Sequence, residues 1–319
     1  PGRIARAFAE GLRHTSNGKL TAIASRSNER GKKFAQEWEV PNQFDSYQKL
    51  AQSTVVDAIY IATPHSEHHD ATLLCLKNGK HVLCEKPLAV NANQVLSMTQ
   101  TARAENQILM EGMWSRFPPL MRKVKDMVDS GMLGEIFSLQ ADFGFLPKDS
   151  NPKNRLFNPD LAGGSLLDIG IYPLSFASMI LGTPQRLTAL ASIAKTNVDE
   201  QTSCILKYEN GAHAILHSSL CCETGQEAFI AGKEGNLRIH KQCWKPQIMT
   251  VRKHLSKKEE KIEMPFIGNG FNYEAEHFGN LIKEERTESD IMPLAESLSI
   301  AKTMDQIREH CEVRYPFEK

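Results

Sequence analysis

The order of its segments predicts an α/β protein of two domains. A domain built on a parallel sheet spans residues 1–112, and an α+β domain with a mainly antiparallel, open sheet spans residues 113–319. Three observations carry this expectation. Up to residue 111, strand-like and helix-like segments alternate at the short period of βαβ units, which favours parallel strands joined by right-handed crossovers. The stretch Glu111–Pro119, with adjacent prolines at 118 and 119, breaks that alternation. Beyond it, strand-like runs separated by turn residues dominate.

The first element, Ile4 to Arg13, has apolar residues at Ile4, Ala5, Phe8, Ala9 and Leu12, a helical spacing behind Gly2. With one more glycine ahead of Pro1 the string would fit the G-x-G-x-x-A turn, in which backbone N–H groups at a helix N-terminus hold a pyrophosphate. Gly2, Arg3 and Ile4 are therefore candidate cofactor-binding residues. The first strand of a Rossmann unit is expected ahead of Pro1. The next strand, Leu20–Ala24, ends in Ser25-Arg26-Ser27-Asn28. An NAD site places an Asp or Glu on the adenosine ribose roughly 20 residues after the glycine turn. No acid stands there, whereas Ser25, Arg26 and Arg30 suit a 2′-phosphate, so NADP is expected over NAD.

Helices over Glu29–Glu37 and Tyr47–Gln52 lead to Val55–Ala62, a run apolar enough for a strand buried on both faces. Thr63-Pro64-His65 ends it, and Ser66 is read as the cap of a helix to Lys77, with Asn78-Gly79 as its stop. Strand His81–Cys84 then delivers Glu85-Lys86-Pro87. Proline disfavours helix in the residue before it, so Lys86 is held extended at a strand's carboxyl end, where ligands sit in open α/β sheets. A lysine there can donate a charged hydrogen bond or accept a proton. A helix from Asn91 to Ala104 and a strand over Ile108–Met110 complete the domain. His65, His68 and His69 have only Glu67 and Asp70 as possible co-ligands, so no metal is expected and the histidines are read as capping, packing or lining a nicotinamide pocket.

In the second domain Gly134–Phe143 alternates as a half-buried strand does. Leu161–Pro173 then flows into an apolar helix that stops at Leu181-Gly182. Asp168 and Tyr172, four apart, share a face if this segment is helical, and an acid beside a phenol suits the grip of a hydroxylated substrate. A capping Asp and a packing Tyr would leave the same pattern. Runs at Arg186–Ala194, Thr202–Tyr208, Ala212–Ser219 and Ala228–Ala231 read as strands, with Glu209-Asn-Gly211 as a hairpin turn. One sheet face is expected to pack on helices and the other to find a partner. His254–Lys261 reads as a solvated turn, and Asn272–Glu285 and Leu294–Cys311 as amphipathic helices closing this domain. Trp114, Phe143, Phe145 and Trp244 are candidates for an aromatic wall.

Lys plus Arg equals Asp plus Glu, 38 each, so no overall field draws nucleic acid or an acidic membrane. No apolar run approaches the roughly 20 residues of a membrane-spanning helix, and no segment resembles a signal peptide, so a cytoplasmic location is expected. The seven cysteines are scattered without a C-x-x-C pair and read as reduced thiols.

Gly2-Arg-Ile-Ala5, Ala62-Thr-Pro64 with His68, Glu85-Lys86-Pro87, and Trp114-Ser-Arg116-Phe with Pro119, taken in this order, resemble the glucose-fructose oxidoreductase / inositol dehydrogenase (Gfo/Idh/MocA) family. Within it the chain is most similar to the branch of dimeric dihydrodiol dehydrogenase and NADP-dependent D-xylose dehydrogenase. The resemblance implies hydride transfer between a nicotinamide and a sugar, polyol or cyclic vicinal diol. It implies cofactor contacts from Thr63, Pro64, His65, His68, Glu85, Lys86, Trp114 and Arg116, and substrate contacts from Lys86, Trp114, Phe145, Asp168 and Tyr172. Tyr172 takes the place of the histidine found in inositol dehydrogenases, which makes inositol a poorer substrate. A free phenol or ammonium titrates too high for an efficient base at neutral pH. Tyr172 is accordingly read as general acid/base, Lys86 as its electrostatic partner, and Asp168 as the group that orients substrate or Lys86, although Lys86 can itself carry the proton. The family also implies a homodimer, or a dimer of dimers, through the open sheet. A glycoside hydrolase that recycles a bound nicotinamide and a non-catalytic NADP-sensing regulator are the alternatives on this fold.

Overall fold

A computed structural model of the protein describes residues 1–318. The chain forms two compact units: Pro1–Ala89 and Asn93–Trp114 with Ile267–Ser297, and Val90–Ala92 and Ser115–Phe266 with the stretch from Leu298 onward.

In the first unit the order is α1 (Arg3–Leu12), β1 (Ala22–Ala24), α2 (Asn28–Glu37), β2 (Asn42–Phe44), α3 (Tyr47–Ala51), β3 (Ala58–Ile61), α4 (His68–Leu76), β4 (His81–Glu85), α5 (Ala92–Ala104) and β5 (Leu109–Gly112). All its strand pairs are parallel: β1 with β2 (Ile23 opposite Gln43), and β3, β4 and β5 in that order (Tyr60 opposite Leu83, Leu83 opposite Met110). Val82, Leu83 and Cys84 of the central strand β4 are buried, since a parallel sheet is covered on both faces. Strand β3 is shorter than the apolar run that encodes it. Val55 is 44% exposed, and pairing with β4 begins only where Ala58 meets His81. Ser27 caps α2 by accepting from the Arg30 N–H at 3.3 Å, and Ser46 caps α3 from Lys49 at 3.2 Å. Ser66 caps nothing: a 3₁₀ turn over His65–Glu67 runs into α4, with Glu67 in the cap position and no side-chain cap bond.

Helix α8 (Phe271–Lys283), which the sequence places in the C-terminal domain, belongs to this unit and packs on α1. Gly11 is the reason. A Cβ there would lie 2.7 Å from the Cβ of Phe271 and 3.0 Å from the Asn272 nitrogen, so only glycine lets the two helices meet. Asn269 donates to the Ala7 carbonyl (2.7 Å), and Asn17 donates to the Glu276 carbonyl (2.8 Å).

The second unit contains α6 (Pro119–Asp129), β6 (Ile136–Gly144), α7 (Ile171–Leu181), β7 (Arg186–Ile193), β8 (Asp199–Lys207), β9 (His213–Ser219), β10 (Ala228–Gly232), β11 (Gly235–Ile239), β12 (Ile248–Lys253) and β13 (Glu259–Glu263). One eight-stranded sheet runs β13-β12-β11-β10-β6-β9-β8-β7. Its pairs are antiparallel except β6 with β9, which run parallel. Part of the charged run read as a turn is therefore strand: Glu259–Glu263 forms the sheet's edge. Leu139, Ala214, Leu216, Leu206 and Ile230 point to the covered face, on which α7 packs. On the other face Thr188, Ile205 and Ile215 lie in one row, with Leu190 two residues along. Leu190 is 80% exposed and Ile205 and Ile215 are 47% exposed.

The segment before α7 is not a plain α-helix. A 3₁₀ turn at Pro159–Leu161 is followed by a π turn at Leu166–Gly170. The stretch Pro159–Leu181, 23 residues, is long and apolar enough to cross a membrane by composition, contrary to the expectation that no run nears that length. It is a core element of this unit, with 78% of its most apolar window buried.

Candidate active site

In the first unit the parallel strands deliver candidate residues from their carboxyl ends. Glu85 closes β4 and Lys86 follows it, 9% exposed, with a cis bond to Pro87. Neighbours on several sides fix this turn. The Tyr60 hydroxyl of β3 donates to Glu85 Oε1, and the Tyr60 ring stacks on Phe8 of α1 at 3.6 Å. The Leu88 N–H donates to Glu111 Oε1 of β5 (2.9 Å). His68 lies beneath, its Nδ1 2.8 Å from the Pro87 carbonyl oxygen and its Nε2 3.1 Å from that of Thr63. Burial lowers its pKa, and a neutral ring has one N–H, so it donates to one of these two carbonyls, between the end of β3 and the turn after Lys86. His68, expected at the cofactor, has no exposed surface and packs between these two backbone carbonyls. Thr63, Pro64 and His65 follow β3 on the same edge, His65 buried and edge-on to His68 at 5.7 Å.

Burial and the charge of Glu85 push the carboxyl of Glu274 in α8 well above the ordinary range. It has no exposed surface, and neither of its oxygens has a hydrogen-bond partner. Glu274 was not foreseen, although a glutamate on the apolar face formed by Phe271, Ala275, Phe278 and Leu281 is a visible signal. Trp114 stacks on Phe271 at 4.9 Å and is 7% exposed.

At the start of α1, Gly2 is extended, a Cβ on it would meet nothing within 4 Å, and the first turn carries Arg3 and Ile4 with no acid. A helix N-terminus with open approach and no acid in its first turn fits a pyrophosphate. After β1, Ser25 is buried and accepts from the Ser27 N–H (3.2 Å). The Arg26 side chain is 64% exposed beside Glu67 (3.5 Å), and Arg30 is exposed on the first turn of α2. No acid stands at the end of β1 itself, where Ser25, Arg26 and Arg30 are gathered with the Glu67 carboxylate beside Arg26.

In the second unit the head of α7 gathers the remaining candidates. Asp168, in the π turn and 5% exposed, accepts from Arg155 at 2.7 Å (Nη1 to Oδ1) and 3.4 Å (Nη2 to Oδ2). Arg155 comes from the Pro- and Asn-rich loop, and no sequence pattern marks it. Tyr172 lies in the first turn of α7 with its ring 5.7 Å from Phe143, which stacks on Trp244 at 3.4 Å; Phe145 lies 6.1 Å from Phe143. Tyr172 and Trp244 line a narrow cleft together with Ser115, Met179 and Cys243. Arg116, expected at the cofactor, is 2% exposed and forks onto Ser175 of α7 (Nε to Oγ 2.8 Å, Nη2 to the carbonyl 2.7 Å). Its guanidinium braces the helix. Among the described residues no group of three or more His, Cys, Asp or Glu is arranged to hold a metal ion.

Residues 1–113 match a family described as an oxidoreductase family with an NAD-binding Rossmann fold, and residues 121–238 match the GFO/IDH/MocA C-terminal domain. A trans-1,2-dihydrobenzene-1,2-diol dehydrogenase of Xenopus tropicalis is 36% identical over 93% of this chain and 91% of its own length. The protein of that name from Homo sapiens is 32% identical over 95% and 92%. Among solved structures, a 3-ketoreductase from Actinomadura kijaniata in complex with NADP superposes with a TM-score of 0.87 at 27% identity, covering 97% of this chain and 95% of that one. An aldose-aldose oxidoreductase from Caulobacter crescentus does so with 0.86 at 25% identity, covering 96% and 93%. The chain belongs to the GFO/IDH/MocA family of oxidoreductases, and its first domain is an NAD(P)-binding Rossmann domain.

Proposed function

We propose that this protein is an NADP-dependent dehydrogenase of ring-shaped vicinal diols or sugars. The observation that carries the reading is Lys86: a nearly buried lysine at the carboxyl end of β4, in a turn fixed by Tyr60, His68 and Glu111. A side chain held in this way is preorganised for work on a substrate oxygen. The aromatic group Phe143, Trp244 and Tyr172 favours a ring, and the relatives are named for a cyclic diol.

Gly2, Arg3 and Ile4 would hold the pyrophosphate of NADP, and Ser25, Arg26 and Arg30 its 2′-phosphate. When bound, the nicotinamide accepts or supplies the hydride. In the oxidative direction Tyr172 would take the hydroxyl proton and Asp168, steadied by Arg155, would accept from a neighbouring hydroxyl, with Lys86 as the charged donor to a substrate oxygen. In reduction Tyr172 returns the proton to the carbonyl oxygen. The apolar row Thr188, Ile205 and Ile215 with Leu190 would be covered by a second copy of the chain. Seven free cysteines, four of them buried, suit a reducing compartment such as the cytoplasm.

The test is a fluorescence titration with NADPH and with NADH, followed by absorbance assays with NADP and trans-dihydrodiols, D-xylose and D-glucose. NADPH binding at least about tenfold tighter than NADH, with turnover of one substrate class, is expected. Preference for NADH would remove the role of Ser25 and Arg26. Saturable binding without turnover of any diol or sugar would refute the assigned chemistry.

A further inference from the structure

The π turn that carries Asp168 is capped from outside its own helix. Asp199, the first residue of β8, is 1% exposed, and its Oδ2 accepts from the Ser165 hydroxyl (2.7 Å), the Leu166 N–H (2.7 Å) and the Thr202 hydroxyl (2.8 Å). Ser165 Oγ also lies 3.1 Å from Ser218 Oγ of β9. Its other oxygen, Oδ1, has no hydrogen-bond partner. Gly164 makes this approach possible. Its φ is +116°, and a Cβ there would sit 2.2 Å from Asp199 Oδ1. The Gly164 carbonyl in turn accepts from the Asp168 N–H (3.3 Å), so the capped segment and Asp168 are one hydrogen-bonded unit.

We propose that Asp199 is a positioning residue of the reaction: it fixes the head of the π turn from Ser165 to Gly170, and thereby sets where the Asp168 carboxylate and the Tyr172 phenol meet the substrate. The inference rests on Asp168 and Tyr172 being the acting groups. A buried acid that satisfies N–H and O–H donors at a helix start acts as a cap, and here the turn it caps bears the reacting groups. All three donors converge on Oδ2, the position that an asparagine at 199 would fill with its carbonyl oxygen. Burial, the larger effect, raises the Asp199 carboxyl while its hydrogen bonds lower it, and an asparagine's amide oxygen, with two lone pairs, can still accept from the donors at the turn.

The experiment compares D199A, D199N, S165A and T202V by steady-state kinetics, NADPH binding, and hydrogen exchange at the amides of residues 166–172. D199A is expected to lower kcat about 10- to 100-fold, because small displacements of reacting groups cost that much. Its NADPH affinity should stay within about threefold, and exchange in the turn should rise at least about tenfold. D199N should keep kcat within about fivefold. S165A breaks a bond to the turn and should lower kcat more than T202V, which breaks one within β8. If D199A does not fold, the contrast between S165A and T202V decides the matter. Equal effects of those two, a D199N loss as large as that of D199A, or faster exchange in D199A with unchanged kcat would overturn the proposal. A wild-type protein that turns over no diol or sugar would instead defeat the underlying assignment, and exchange would then show on its own whether Asp199 holds the turn.

Discussion

Replacing Glu274 by Gln should flatten the pH dependence of stability. Glu274 has no exposed surface and no hydrogen-bond partner, and it faces Glu85, which already accepts from Tyr60. Burial first, and then the charge of Glu85, raise its pKa well above the ordinary value, so the native protein holds a proton that the unfolded chain releases at about pH 4.3. The stability contributed by the neutral acid is complete below that pH. It is lost as pH rises through the window that ends at the raised native value, because there the native state binds more protons than the unfolded state. The slope for one proton is about 1.4 kcal/mol per pH unit. Gln has nearly the same shape and no proton to lose, so E274Q should gain on the wild type by about that amount per unit from pH 5 upward. Urea unfolding of both proteins at pH 5, 6, 7 and 8 reads this directly. Parallel curves, agreeing within about 0.5 kcal/mol across the series, would refute the reasoning, since they would mean that Glu274 is ionised in the native protein.

Lys86→Met should lower kcat by about 10²- to 10⁴-fold, the usual worth of a group acting on proton transfer, and NADPH fluorescence titration should show affinity within about threefold of the wild type. Arg26→Ala should weaken NADPH by about 10- to 100-fold and leave NADH nearly unchanged, since in the proposed site only a 2′-phosphate would meet the guanidinium. Ile205→Glu puts a carboxylate into the apolar row with Thr188 and Ile215 that the proposed second copy would cover, and sedimentation velocity should show a wild-type dimer and a monomeric variant. Tyr315→Phe removes a buried hydroxyl that donates to the Gly163 carbonyl at 2.6 Å, and denaturant unfolding should record a loss of about 1 to 3 kcal/mol.

Where a short rule of backbone chemistry applies, the sequence was a good guide. Strand β4 ends at Glu85, directly before Lys86-Pro87, and Ile59 and Ile61 of the β-branched run before Thr63 are buried in β3, because both effects act within a few residues. Where the outcome depends on distant partners, it was not. Nothing near His68 says that its ring lies between the carbonyls of Thr63 and Pro87, and nothing near Arg116 points to Ser175. Leu166–Gly170 reads as ordinary helix, since the periodicity of five residues does not separate a π turn from an α turn; the carboxylate that caps it comes from β8. Helix α8 has the amphipathic pattern of any surface helix, and only Gly11 on α1 hints at the neighbour that claims it.

That packing bears on how the chain is made. The first unit draws Ile267–Ser297 from far beyond Trp114, so α1 emerges without the helix that covers Gly11. Translation proceeds at about 5–20 residues per second, which leaves the first domain incomplete for roughly ten to thirty seconds while the intervening chain is synthesised. During that interval the surface of α1 that α8 will cover is open to chaperones or to wrong partners. A gene fragment ending at Trp114 would keep it open permanently, so the nucleotide-binding half cannot be borrowed as a module by cutting the chain where its pattern changes.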